Sequence, residues 1–338
     1  MFRFLAIEKI GLAWVVLTSV LMLFIWDELA APWELVATRV GWLVSTGVLA
    51  YAGWRWAGRV TEFLRYAVAL GWLAVWYPET YELNRWRQNL DHIFAQAEWS
   101  LFGCQPALEL HQWLDSAVWS ELFNLGYFSY FPMIIVLVVT LTVKSWGRED
   151  KSPRVPGRAK RQDRAQELDV PRVAAVILTS FFIYYIMYIA LPVAGPQFYF
   201  AAIGIDNAAA GVYPAIGDYF NTHTEMLPAP GWSDGLFQHL VALTQASGER
   251  PTAAFPSSHI GVSTIILMLT WKYARRLTVV FAPLWLLLCG ATVFIQAHYV
   301  VDAICGLLTA PVVLWLARLI VRALSPSAKE TASSLLTL

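Results

Sequence analysis

The chain has 338 residues, 58% of them hydrophobic and only 14% charged, with 17 Trp and with 24 basic residues balancing 24 acidic ones. An ordinary soluble domain is roughly 45–50% apolar and about 25% charged, so these proportions exclude a soluble single-core enzyme, a disordered chain and a nucleic-acid binder with a basic face. Cys104, Cys289 and Cys305 form no Cys-x-x-Cys pair and read as small core residues, which excludes a disulfide scaffold.

About 20 mostly apolar residues cross a bilayer as a helix. That ruler predicts an all-α integral membrane protein with about eight spans, at 5–26, 34–54, 61–78, 121–143, 173–191, 258–271, 278–296 and 299–317. The first span has Arg3 before it and Lys9 near its start, with no small-residue cleavage signal behind it, and so reads as retained. The second and third are the weakest, because Arg39 and Arg65 lie inside them. Residues 79–118 mix Trp with charge at helical spacing, the pattern of helices lying in the membrane interface.

Loop charge sets an expected orientation, since cytoplasmic loops are rich in Lys and Arg. Segment 144–172 carries nine basic residues, and Lys272, Arg275 and Arg276 follow span six. Residues 192–249 contain Asp206, Asp218, Glu225, Asp234 and Glu249 without one Lys or Arg. The basic segments are therefore expected inside and the acidic one outside. The organisation expected is two added helices in 1–58, a catalytic membrane domain over 59–318 with an inner loop at 144–172 and an outer loop at 192–257, and an inner tail over 319–338.

Two histidines acquire meaning on this topology. His259 opens span six and His298 opens span eight, and the hairpin between them returns the second to the level of the first. Asp302 follows His298 by four, on the same helix face. A carboxylate there can accept the ring N–H, fix the tautomer and stabilise an imidazolium, leaving the other nitrogen to attack. A second His can protonate a leaving group. Pro256-Ser257-Ser258 adds hydroxyls and helix N-terminal N–H groups suited to an anion. This set suggests phosphoryl transfer through a phospho-His.

Pro256-Ser257-Ser258-His259 and His298-Tyr299-Val300-Val301-Asp302 resemble the second and third signature motifs of the type 2 phosphatidic acid phosphatase (PAP2) superfamily. With Phe255 before the first and Pro192-Val193-Ala194-Gly195-Pro196 upstream, they are similar to its inositolphosphotransferase branch, which includes inositol phosphorylceramide synthases. The resemblance covers roughly 60–317 and implies a six-helix core, His298 as nucleophile, Asp302 as its partner, His259 as acid/base, and no metal or other cofactor. Substrates would be a phospholipid or a polyprenyl phosphate, with membrane lipids around the protein and no nucleic acid. The family's first motif, Lys-x6-Arg-Pro, is absent, and Gln296 and Gln197 stand where basic residues are common. Arg250 is the first choice to replace the missing phosphate clamp, with Ser257, Ser258, Gln296 and Gln197 beside it; Arg85, Arg87 and Arg39 are the other outer-side cations. The function expected is headgroup transfer between lipids on the non-cytoplasmic side, possibly of inositol phosphate to a ceramide- or diacylglycerol-type acceptor. The alternatives are a phosphatase acting on phosphatidate or polyprenyl phosphates, and a transporter or scaffold that retains the motifs. Oligomeric state is left open.

Overall fold

A computed structural model describes residues 4–149 and 168–324, and within them the protein is all-helical. Most of the basic 144–172 segment and of the 319–338 tail therefore lies outside the described residues. Six helices are long and apolar enough to cross a membrane: α1 (Ala6–Phe24), α2 (Pro32–Arg55), α8 (Tyr130–Gly147 of a helix reaching Glu149), α9 (Val170–Ala190), α14 (Arg275–Phe294) and α15 (Val300–Leu324). The protein is thus an all-α, multi-pass membrane protein.

Six is fewer than the eight expected, for local reasons. The third segment is divided at Trp72, after Gly71, into α3 (Arg59–Gly71) and α4 (Leu73–Asn84), the latter with Pro78 inside it. At 1.5 Å per residue each piece is only about 20 Å long, short of a hydrocarbon core of about 30 Å. The sixth, α13 (Ser258–Tyr273), has 16 residues. The start of the fourth is cut off at Ser129 as a separate helix, α7 (Ala117–Phe128). Two short helices, α5 (Asp91–Phe102) and α6 (Pro106–Trp113), fill the segment expected at the interface, and α10 (Pro196–Ile203), α11 (Ile205–Ala209) and α12 (Leu236–Gly248) build the long acidic segment.

Helix α9 is apolar all round, as a helix enclosed on every side should be. Asp169 caps its start by accepting from Arg172 N (3.0 Å), and Pro171 needs no donor there. It packs against α1, α3, α4, α8, α13 and α15, and its Tyr184, Tyr185 and Tyr188 are buried. The arginine inside each of the two weakest spans pairs with a glutamate of another helix. Arg65 gives two hydrogen bonds to Glu8 of α1 (2.7 and 2.6 Å), and Arg39 of α2 pairs with Glu79 of α4 at 3.0 Å, with all four residues buried. Removing one partner of such a pair would strand a buried charge, so these pairs pin the N-terminal helices to the rest.

Candidate active site

The hairpin of α13 and α14 ends in a short link, residues 295–299, that turns into α15. Ser257 caps α13, its hydroxyl accepting from Ile260 N (3.4 Å), so that His259 lies in the helix's first turn. Two close approaches hold the pieces together. Gly306 of α15 lies against the Ser257 carbonyl, where a Cβ would collide, and Ser257 N donates to Asp302 O (3.1 Å). Gly195, at φ +92, lies against the Ala297 carbonyl with the same restriction.

The link brings His298 Nε2 within 3.3 Å of His259 Nδ1. His298 is 3% exposed, whereas His259 keeps an open side. His259 is gripped by aromatic rings, with Tyr127 stacked at 4.7 Å between centroids and Tyr130 tilted at 4.6 Å. Both tyrosine rings are buried and pack directly on the His259 imidazole. Tyr188 receives the Ser258 N–H at 3.0 Å and Tyr130 donates to the Ser258 carbonyl (3.4 Å).

The other nitrogen of His298 has an unexpected partner. Nδ1 lies 2.8 Å from the Ala254 carbonyl, while Asp302 Oδ2 is 3.7 Å away and instead accepts the Tyr299 N–H at 2.9 Å. A carbonyl can only accept, so Nδ1 is the protonated nitrogen and Nε2 presents its lone pair toward His259. Asp302 is fully buried, its Oδ1 has no partner, and its hydrogen bond goes to the backbone at the start of α15 and not to the ring. Burial pushes the His298 imidazole down to about 4, opposed by the Ala254 carbonyl and the nearby Glu249 charge. The ring is thus neutral at physiological pH, the form a nucleophile requires.

Glu249, just past α12, was not singled out in the sequence. Burial pushes its carboxyl above the usual carboxylate range, and the Tyr77 hydroxyl, donating at 3.1 Å, and the His298 ring draw it back. Two further acids support the link from α5. Asp91 accepts from Ala194 N (2.6 Å), Gly195 N (2.8 Å), Asn89 Nδ2 (2.5 Å) and the Tyr299 hydroxyl (3.0 Å), tying Pro-Val-Ala-Gly-Pro to the residue after His298. Glu98 accepts from Val300 N at 2.5 Å, and burial pushes its carboxyl up to about 8 against that hydrogen bond. Ala253 (φ 70) and Gln296 (φ 64) hold left-handed backbone without being glycine, flanking the oriented ring; such residues gather at functional sites.

The remaining candidates fall in different places. Ser257 is fully buried with its hydroxyl used as the cap, and Ser258 N is taken by Tyr188. Gln197 accepts from Gln245 Nε2 (3.2 Å) while its own Nε2 has no partner, and Gln296 reaches to the Ala107 carbonyl of α6 (3.2 Å). Arg39 is committed to Glu79, Arg85 to Glu82 and the Asn221 carbonyl, and Arg87 to the Ala190 carbonyl (2.6 Å). Arg250 bonds only the neighbouring Glu249 carbonyl (2.7 Å) among its described contacts. Among the described residues no three His, Cys, Asp or Glu side chains come together as a metal-binding group.

Fold and centre together define a polytopic membrane protein with a buried, neutral His facing a second His beneath a helix N-terminus. Comparison with known families adds to this definition. The sequence model of the PAP2 superfamily matches residues 163–316, the stretch from α9 through most of α15 that holds both His motifs. No curated protein and no solved structure matches the chain. The family match supports a PAP2-type phosphatase or phosphotransferase acting on lipid-like phosphate substrates in a membrane.

Proposed function

We propose that the protein is a lipid phosphotransferase working through a phospho-His, and the 3.3 Å approach of His259 Nδ1 to His298 Nε2 carries that reading. His298 Nε2 attacks the phosphorus of a membrane-bound donor, and the bond to the leaving oxygen breaks. His259 gives that oxygen a proton, then takes one from the acceptor hydroxyl as it attacks the phospho-His. The Ala254 carbonyl keeps the Nδ1 proton in place through both steps, and Asp302 balances the positive ring that forms. Arg250, near the Glu249–Tyr77 pair, is the proposed cation for the phosphoryl oxygens, with the α13 N-terminus beneath them.

The acceptor separates two outcomes. A lipid or polyol hydroxyl makes the enzyme a headgroup transferase, as in the inositolphosphotransferase branch whose motif forms this chain resembles; water makes it a phosphatase. We favour transfer on the Phe-Pro-Ser-Ser-His and His-Tyr-x-x-Asp forms. The basic 144–172 segment and the Lys/Arg-free 192–249 segment support a site open to the non-cytoplasmic side, and residues 1–58 form an N-terminal addition to the core. Purified protein in detergent, given phosphatidate, a polyprenyl phosphate, or phosphatidylinositol with ceramide, tests the assignment. A phosphorylated-headgroup product with the last mixture identifies a transferase, and inorganic phosphate from the first two identifies a phosphatase. Unchanged turnover in His298→Ala would refute the mechanism.

A further inference from the structure

A cavity lies between α5, α6 and α11, bordered by Gln296 of the 295–299 link. It has a volume of about 380 Å³ and is lined by α5, α6, α11, the loop at 227–230 and Gln296, within the size range of small-molecule sites. Its lining combines the Trp99 indole, the amides of Gln105, Gln112 and Gln296, the Glu109 carboxylate and the His111 imidazole, with apolar wall between them. No Lys or Arg lines it, so no permanent cation there would offset the desolvation of a phosphate or any other anion.

Its chemistry shows an unmet demand for hydrogen bonds. Gln105 is 2% exposed; its amide nitrogen donates to the Ala95 carbonyl (2.9 Å) and the Tyr213 hydroxyl (2.7 Å), yet its Oε1 has no partner. His111 Nδ1 is likewise buried and unpartnered. Buried polar atoms are almost always satisfied, and one that is not requires an explanation. An acyl chain would leave both atoms unmet, while an anion would face Glu109 with no counter-charge.

We propose that this cavity binds a neutral, hydroxyl-rich ring, a monosaccharide or cyclic polyol. Its hydroxyls donate to Gln105 Oε1 and Glu109 and accept from Gln112, and a C–H face lies over Trp99. The site is separate from the His pair, although Gln296 places it two residues along the chain from His298.

The test is binding of free glucose and of myo-inositol to the full-length protein in detergent micelles, measured by saturation-transfer NMR and titration calorimetry. Ala209→Trp fills the cavity from an exposed position at the end of α11, and Glu109→Ala removes the carboxylate. The expected result is binding of at least one probe that each variant weakens about tenfold or more, with unchanged melting temperature, and that His298→Ala and added inorganic phosphate leave intact. The proposal is overturned if neither probe binds, if both variants bind like the parent, or if phosphate displaces the probe. Loss of binding in His298→Ala would move the ligand to the His pair and overturn this site while sparing the proposed mechanism.

Discussion

Asp302→Asn separates two roles that are usually fused in a His–carboxylate pair. In this protein the ring is oriented by the Ala254 carbonyl at 2.8 Å, and Asp302 Oδ2 stands 3.7 Å from Nδ1. Asparagine keeps an oxygen to accept the Tyr299 N–H, so the start of α15 and the tautomer both survive, and only the charge is lost. When the ring becomes positive in the transition state, an ionised Asp302 at that distance contributes about 4 kcal/mol at an effective dielectric of about 20. If that is fully expressed in the rate, the loss is about 10³-fold. Turnover of the lipid phosphate substrate by the purified variant, in single-turnover mode to isolate the first step, reads it directly. Thermal unfolding in the same detergent should match the parent, whereas Asp302→Ala should also melt earlier, because an N-terminal cap is worth about 1 kcal/mol. A loss below tenfold in a normally folded Asp302→Asn would refute the charge-balancing role and leave the carboxylate as a helix cap.

Other outcomes follow from the same geometry. His298→Ala and His259→Ala should each lose about three orders of magnitude in turnover, and the double variant should lose little more, since groups that act as one unit are non-additive. Because burial holds His298 down to about 4, protonation should quench kcat/KM only as pH falls toward that value. Its contribution to stability, present above the ordinary His pKa near 6.5, should be lost on the same descent, because the folded state binds fewer protons there than the unfolded one. Glu98 has the opposite sign: with its carboxyl raised to about 8, stability falls as pH rises from about 4.5 through 8, and Glu98→Gln, which keeps an acceptor for Val300 N, should flatten the melting-temperature profile across that window. Arg39→Leu should lower stability by about 3–5 kcal/mol by stranding Glu79, with Arg39→Leu/Glu79→Leu recovering most of it and turnover per folded molecule little changed.

What could be read in the sequence depended on whether a signal was carried by side-chain type at fixed spacing. His259 and His298 are 39 residues apart on either side of two apolar segments and a basic turn, and alternation alone returns the second to the level of the first; their rings meet at 3.3 Å. The partner of Nδ1 was unreadable, because a backbone carbonyl has no residue signature and the approach of Ala254 depends on left-handed backbone at Ala253. The pairs Glu8–Arg65 and Arg39–Glu79 join helices 57 and 40 residues apart in sequence, so the arginines looked like defects in spans two and three, and Arg39 like a spare cation. Apolar length alone did not register that the third segment breaks at Trp72, that the fourth span starts only after Ser129, or that α13 has 16 residues, since mean hydropathy is blind to a local turn. The supporting acids Asp91 and Glu98 show the same limit from the other side. They lie in a segment whose Trp-and-charge pattern suggested only an interface, yet Asp91 takes the Tyr299 hydroxyl and Glu98 the Val300 N–H, beside His298 and over 200 residues away in sequence. The two His motifs therefore place the rings that meet at 3.3 Å, while the contacts that hold them there come from the acids of α5 and from the backbone carbonyl of Ala254, which lies just before the first motif and bonds through an atom every residue carries.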